Sequence, residues 1–219
     1  MDNNIELEPE EKNIDFRKGL LFFLITGLLS AISGYLNGKY VMSNSDYFLL
    51  LLPQLTEEQI AQIQQPLWLC CIAPIFTQLF YLFLLSFVVY IGYYLTIKQK
   101  FGTILKCVAL SQIVFGVMSI VNVLKIIIYG LPECTIGLSV YSFSLASFFD
   151  VCRLDMWMVI PLSYFNIFEI FFVLLLSYLL SKNFNNSFSK SLKMVLYTYG
   201  LTLVLIIICL CSSYIFMTE

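Results

Sequence analysis

The chain has 219 residues, 60% hydrophobic and 12% charged, with a net charge of −2. Soluble domains carry about 25% charged residues, so this composition, with a mean hydropathy of +0.88, excludes an ordinary soluble domain and puts the length into one membrane domain. Histidine is absent, which removes imidazole acid–base chemistry, Ser–His–Asp catalysis and the HExxH zinc motif, and the lack of a basic stripe excludes nucleic acid as a partner.

Residues 1–16 read as a polar tail with Glu6, Glu8, Glu10, Glu11 and Asp15 and no positive n-region. That is a solvated leader rather than a cleavable signal peptide. Residues 17–219 read as one all-α, polytopic helical membrane domain of five transmembrane helices, with short interfacial helices in the outer loops.

The first span covers Gly19–Leu36, behind Arg17 and Lys18. Gly27, Ser30, Ala31, Gly34 and Gly38 recur at three- to four-residue spacing, which predicts a face that a neighbouring helix approaches closely. Residues 37–66 form a loop. Its run SDYFLLLLP is too short to cross a bilayer. TEEQIAQIQQ follows, with Thr56 and Gln59 as a capping box, and reads as an amphipathic surface helix ended by Pro66.

The second span, Leu67–Ile97, is long enough to tilt or to kink at Pro74 and carries Gln78. Tyr90, Tyr93 and Tyr94 near its far end read as part of an interfacial belt. The third span, Ile104–Tyr129, contains Gln112, Asn122 and Lys125, and Gly130 and Pro132 stop it. Residues 130–160 form the second outer loop, with Cys134, Cys152 and the segment SFSLASFF as a further surface helix.

The fourth span runs from Pro161, suited to a first helical turn, to Leu180, and Glu169 is its single acid. A link with Lys182, Lys190 and Lys193 leads to the fifth span, Met194–Phe216.

Basic residues orient such a chain. Nine fall on one side: Lys12, Arg17 and Lys18, then Lys98, Lys100 and Lys106, then Lys182, Lys190 and Lys193. Three fall on the other: Lys39, Lys125 and Arg153. The N-terminus is therefore expected inside and, with five spans, the C-terminus outside. Cys134 and Cys152 then share an outer loop, where either a disulfide or two free thiols fits. Cys70, Cys71, Cys107, Cys209 and Cys211 sit in apolar runs and read as small hydrophobic side chains.

Glu169 lies roughly 12 Å into its span. A lone carboxylate there should be neutral, paired or turned to a wet cavity. Asn166, three residues earlier, shares its face. The expectation is that Glu169 meets Lys125 inside the bundle, with Asn122 and Asn166 nearby and with Gln112 and Gln78 completing an intramembrane polar set. The alternative is a hydrogen-bonded packing clamp.

The stretch SYFNIFEIFFVLLLSYLLSKNFNNSFSKSLK resembles the late part of the Yip1 domain family in its bacterial branch, at Asn166, Phe168, Phe171, Leu174, Leu175, Ser191 and Lys193. KFGTILKCVALS and the Glu/Gln-rich first-loop helix are similar to that family too, and the resemblance covers residues 17–216. Phe171 stands where the family has Trp, and Glu169 where a small polar residue is usual. The resemblance implies a helical membrane protein without known catalysis. Eukaryotic relatives act in vesicle trafficking with small GTPases, and some bacterial members carry permease-like names.

Three functions compete. The first is a non-enzymatic scaffold or biogenesis factor, partnered by the bilayer and by a membrane protein or further copies of itself. The second is a small-solute or ion transporter that uses the Glu169/Lys125 polar set. The third, an intramembrane enzyme, lacks His, GxSxG and Gly-x-Gly-Asp. No metal or cofactor is implied. A wet cavity reaching Glu169 favours transport, and a dry, packed bundle favours a scaffold. The richness in Ile, Phe, Asn and Lys fits an AT-rich bacterial genome, and the resemblance to the bacterial branch of the Yip1 domain family implies a bacterial cytoplasmic (inner) membrane.

Overall fold

In a computed structural model of the chain, the described residues, 16–42, 67–97, 99–129 and 143–218, are almost wholly helical. The helices are α1 (Phe16–Met42), α2 (Leu67–Ile97), α3 (Phe101–Ser111), α4 (Ile113–Tyr129), α5 (Met156–Tyr164), α6 (Ile167–Asn183), α7 (Phe188–Val195) and α8 (Leu201–Thr218). Two 3₁₀ turns, Leu145–Phe148 and Val151–Arg153, precede α5. A single π turn, Leu196–Gly200, joins α7 to α8. The acidic tail up to residue 15, the TEEQIAQIQQ helix and Cys134 lie outside the described residues, and so does the Cys134–Cys152 pairing.

Crossing a hydrocarbon core of about 30 Å takes about 20 apolar residues. Four helical stretches are long and apolar enough: Arg17–Leu36, Cys71–Thr96, Phe101–Tyr129 and Phe188–Ser213. The first two coincide with the expected spans. The third starts at Phe101 rather than Ile104 and breaks at Gln112, between α3 and α4. The last starts at Phe188 rather than Met194. SFSLASFF contributes only the 3₁₀ turn Leu145–Phe148.

The expected continuous helix over Pro161–Leu180 is not formed. It is two helices, α5 and α6, parted at Phe165–Asn166. Asn166 is extended, at φ −128 and ψ 161, and forms an isolated antiparallel bridge with Ser144. Leu145 N–H donates to the Phe165 carbonyl at 2.9 Å, and Ile167 N–H to the Phe143 carbonyl at 3.3 Å. A short polar side chain that can satisfy the backbone on both sides makes such a break tolerable. The Asn166 Oδ1 accepts from the Glu169 N–H at 2.9 Å, and its Nδ2 donates to the Ser163 and Tyr164 carbonyls at 3.3 Å each.

α5 packs on α8, while α6 packs on α7, α3 and α4. The pair α5–α6 therefore runs beside the long C-terminal helix over most of its length, turned back at residues 184–187. That turn is written in the sequence Asn-Phe-Asn-Asn-Ser. Asn185 takes the left-handed conformation at φ 48, which Asn tolerates better than most residues. Asn186 N–H then reaches back to the Ser181 carbonyl at 3.1 Å. Ser187 caps α7 by accepting from the Lys190 N–H.

One end of the bundle is solid. Val89, Tyr93, Ile104, Cys107, Val108, Phe172, Leu176, Leu180 and Val195 are fully buried there, drawn from α2, α3, α6 and α7. Large apolar side chains also cover the outside, among them Leu24, Phe76, Phe80, Leu95 and Ile128. Cys107 is buried as expected, whereas Cys209 is on the exposed face. In lipid, apolar burial does not drive helices together; close packing and hydrogen bonds do. Gly92 shows how close. A Cβ there would lie 2.1 Å from the Thr198 Cγ2, so α2 meets the π turn at a distance only glycine permits. Thr198 is itself held in place by its hydroxyl, which donates to the Met194 carbonyl at 2.9 Å.

Candidate functional site

The other end of the bundle is hollow. A cavity of about 550 Å³ opens among α1, α2 and α4 and reaches Glu169 on α6. α2 contributes Pro74, Thr77, Gln78 and Tyr81; α1 contributes Thr26, Ser30, Ser33 and Gly34. Gln112, at the α3–α4 break, and Phe115 and Ser119 beyond it form a further wall. Small residues on α1, expected to be a packing seam, do both jobs. Gly116 on α4 would place a Cβ 3.0 Å from Thr26, so α1 and α4 touch there. Ser30 and Gly34 on the same helix border open space.

Most hydroxyls of this wall are satisfied locally, as intramembrane Ser and Thr usually are. Thr26 donates to the Phe22 carbonyl at 2.8 Å, Thr77 to Ala73 at 2.9 Å and Ser119 to Phe115 at 3.0 Å. Ser33 instead ties α1 to α4 through the Ser119 carbonyl at 3.0 Å. The amides are different. Gln112 is 1% exposed, yet its Oε1 has no hydrogen-bond partner, and neither Oε1 nor Nε2 of Gln78 has one. A buried polar atom without a partner costs about 1–3 kcal/mol. Two such amides on one cavity mark a place whose hydrogen-bond partners do not come from the described residues.

Glu169 is the acid of the site. It sits in the first turn of α6, three residues after the cap Asn166, and the Tyr199 hydroxyl donates to its Oε2. Behind it, Phe115, Phe172 and Tyr199 pack ring on ring, with centroids 4.8 and 5.2 Å apart. Tyr199 is eleven residues from the start and fourteen from the end of the stretch Phe188–Ser213. At 1.5 Å per residue this puts Glu169 roughly 17 Å from one end and 21 Å from the other, near the middle of that helix. A second void of about 10 Å³, the size of one water, continues past Tyr81 and Tyr164 to Tyr199 and Thr202.

The expected polar set is thus partly assembled. Glu169, Gln112 and Gln78 converge on the cavity. Asn166 is joined to Glu169, but through its backbone N–H as a helix cap rather than side chain to side chain. Lys125 and Asn122 are not part of the cavity wall, and no ion pair links Lys125 to Glu169. The break at Asn166 explains this in part, because it ties the start of α6 to Ser144 and Phe143 instead of extending a straight helix. Tyr199, Tyr164 and Tyr81 went unnoticed in the sequence. Their only signal is polar capacity within apolar runs, which interfacial tyrosines share. Among the described residues, no three His, Cys, Asp or Glu side chains come together as a metal site. No protein-family model, curated protein or solved structure matches the chain.

Proposed function

We propose that this protein is a membrane transporter, or the solute-binding subunit of one, that takes a small polar solute at an intramembrane site around Glu169. The observation that carries the reading is the cavity of about 550 Å³ that reaches Glu169, with the Gln78 and Gln112 amides unpartnered on its wall. Its size falls within the range of about 300–1,000 Å³ typical of small-molecule sites. A broken helix at the binding site supports the same reading. Backbone freed at membrane depth is tolerated where it is buried in protein or borders a cavity, and transporters build their sites at such breaks.

The reading includes five crossings, with α5–α6 as the broken fourth, packed along α7–α8. It places the N-terminus inside and the C-terminus outside, on the nine-to-three distribution of basic residues, in a bacterial cytoplasmic membrane. It is not enzymatic. A scaffold with Yip1-like layout needs no cavity, and a dry bundle would have spoken for it.

The test is water access to the cavity. Ser30→Cys, in protein reconstituted into liposomes, should react with a charged, water-soluble thiosulfonate. Its rate should be within about tenfold of a cysteine in bulk water, whereas Leu176→Cys in the solid end should not react. Equal inertness of the two positions would overturn the transport reading. Mass spectrometry of the labelled peptides separates them from the seven native cysteines.

A further inference from the structure

We infer that the solute is a small organic monocation bearing a primary ammonium group, with Glu169 as its counter-ion. This rests on the transport reading and narrows it.

Among the described residues that line the cavity, Glu169 is the sole ionisable acid and none is basic. An anion would meet the carboxylate and no cation. A neutral polyol would satisfy the amides and leave the carboxylate without a counter-charge at mid-membrane, where that is costly. A monocation satisfies it. The Tyr199 hydroxyl donates to one oxygen of the Glu169 carboxylate. The rotamer is therefore held before any ligand arrives, and less ordering is left for binding to impose.

The remaining partners ask for N–H donors. The Gln112 Oε1 and Gln78 Oε1 are buried acceptors without a hydrogen bond. An ammonium has three N–H groups, enough for a carboxylate oxygen and two amide oxygens; a quaternary ammonium has none. Tyr81, Tyr164 and Phe115 supply aromatic surface on the same wall, which suits a cation or an aryl group. The Gln78 Nε2, also unpartnered, needs an acceptor at the far end of the ligand, such as a hydroxyl. An aminophospholipid headgroup carries the same ammonium, but its phosphate would meet no basic lining residue, so the ammonium comes from a free amine.

The experiment uses the purified full chain in detergent and tyramine as the probe. Its neutral isostere, 4-(2-hydroxyethyl)phenol, is the comparison, with binding read by calorimetry. Tyramine should bind at least about tenfold more tightly than the alcohol, a difference of about 1.4 kcal/mol. Glu169→Gln, which keeps an acceptor for Tyr199, should remove tyramine's advantage over the alcohol. Equal affinity of wild-type protein for the two probes overturns the inference without needing any variant to fold. So does the absence of saturable tyramine binding up to roughly 10 mM, a limit near a binding free energy of −3 kcal/mol. Displacement of tyramine by phosphatidylethanolamine, but not by phosphatidylcholine, overturns the choice of a free amine. If Ser30→Cys is labelled from water while tyramine and the alcohol bind alike, the cavity reading stands and only the cation falls. If Ser30→Cys is inert, the transport reading falls with it.

Discussion

The two ends of this bundle share α2 and α6 and behave oppositely. α2 is buried at Leu85, Val89 and Tyr93 and borders open space at Pro74, Thr77 and Gln78. α6 is solid at Phe172, Leu176 and Leu180 and hollow at Glu169. The α3–α4 pair changes character at Gln112, the residue at which its helix breaks. Lipid tails are as apolar as leucine, so helix contact in a membrane depends on how closely backbones approach. At the solid end Gly92 admits Thr198, and α7 tucks Ser191 and Val195 inward while Lys190 and Lys193 stay outside. At the hollow end the polar side chains Thr77, Gln78, Gln112 and Glu169 are the ones left facing the gap.

The contrast predicts that substitutions divide into those that unfold the protein and those that change what the cavity holds. Leu176→Ala should have the largest effect on stability, about 2–5 kcal/mol, because a fully buried side chain leaves a void. Heating in detergent, followed by size-exclusion chromatography, would show it as a lowered midpoint, with tyramine affinity unchanged in the fraction that remains folded. A midpoint equal to wild type would mean that this end is not solid.

Gly92→Ala comes next, at about 1–3 kcal/mol, because the added methyl collides with the Thr198 Cγ2. Thr198→Ser removes that methyl, so the double variant should recover most of the loss. A double-mutant cycle measures the coupling directly, and additive losses would show that the two helices do not meet there.

Gln112→Leu should have the smallest effect on stability, within about 0.5 kcal/mol of wild type or slightly stabilising, since it removes an unpartnered buried amide oxygen. Tyramine binding should nevertheless weaken about threefold or more. A large loss of stability with unchanged binding would move Gln112 from the cavity to the core.

Much of the layout was legible beforehand. Long apolar runs bounded by basic residues set the first two spans, and α2 begins and ends where the reading placed it, Leu67–Ile97. Glu169, Gln112 and Gln78 stood out because polar side chains are rare in such runs. The break at Asn166 was harder to see. Asn166 followed three residues later by Glu169 is a helix-start signal, but it sits inside an unbroken apolar stretch whose length alone suggests one span.

What the chain determined by itself is therefore one-dimensional: membrane residence, the length of each apolar run, the spacing of the basic residues and the scarcity of intramembrane charge. These follow from transfer free energies, which add along the sequence. The pairing of Glu169 with Tyr199 rather than Lys125, the close contact of Gly92 with Thr198, and the gap that gathers Gln78 and Gln112 were decided only by tertiary structure. They depend on the angles at which helices cross and break, and residues 30, 34 or 106 positions apart carry no local trace of those angles.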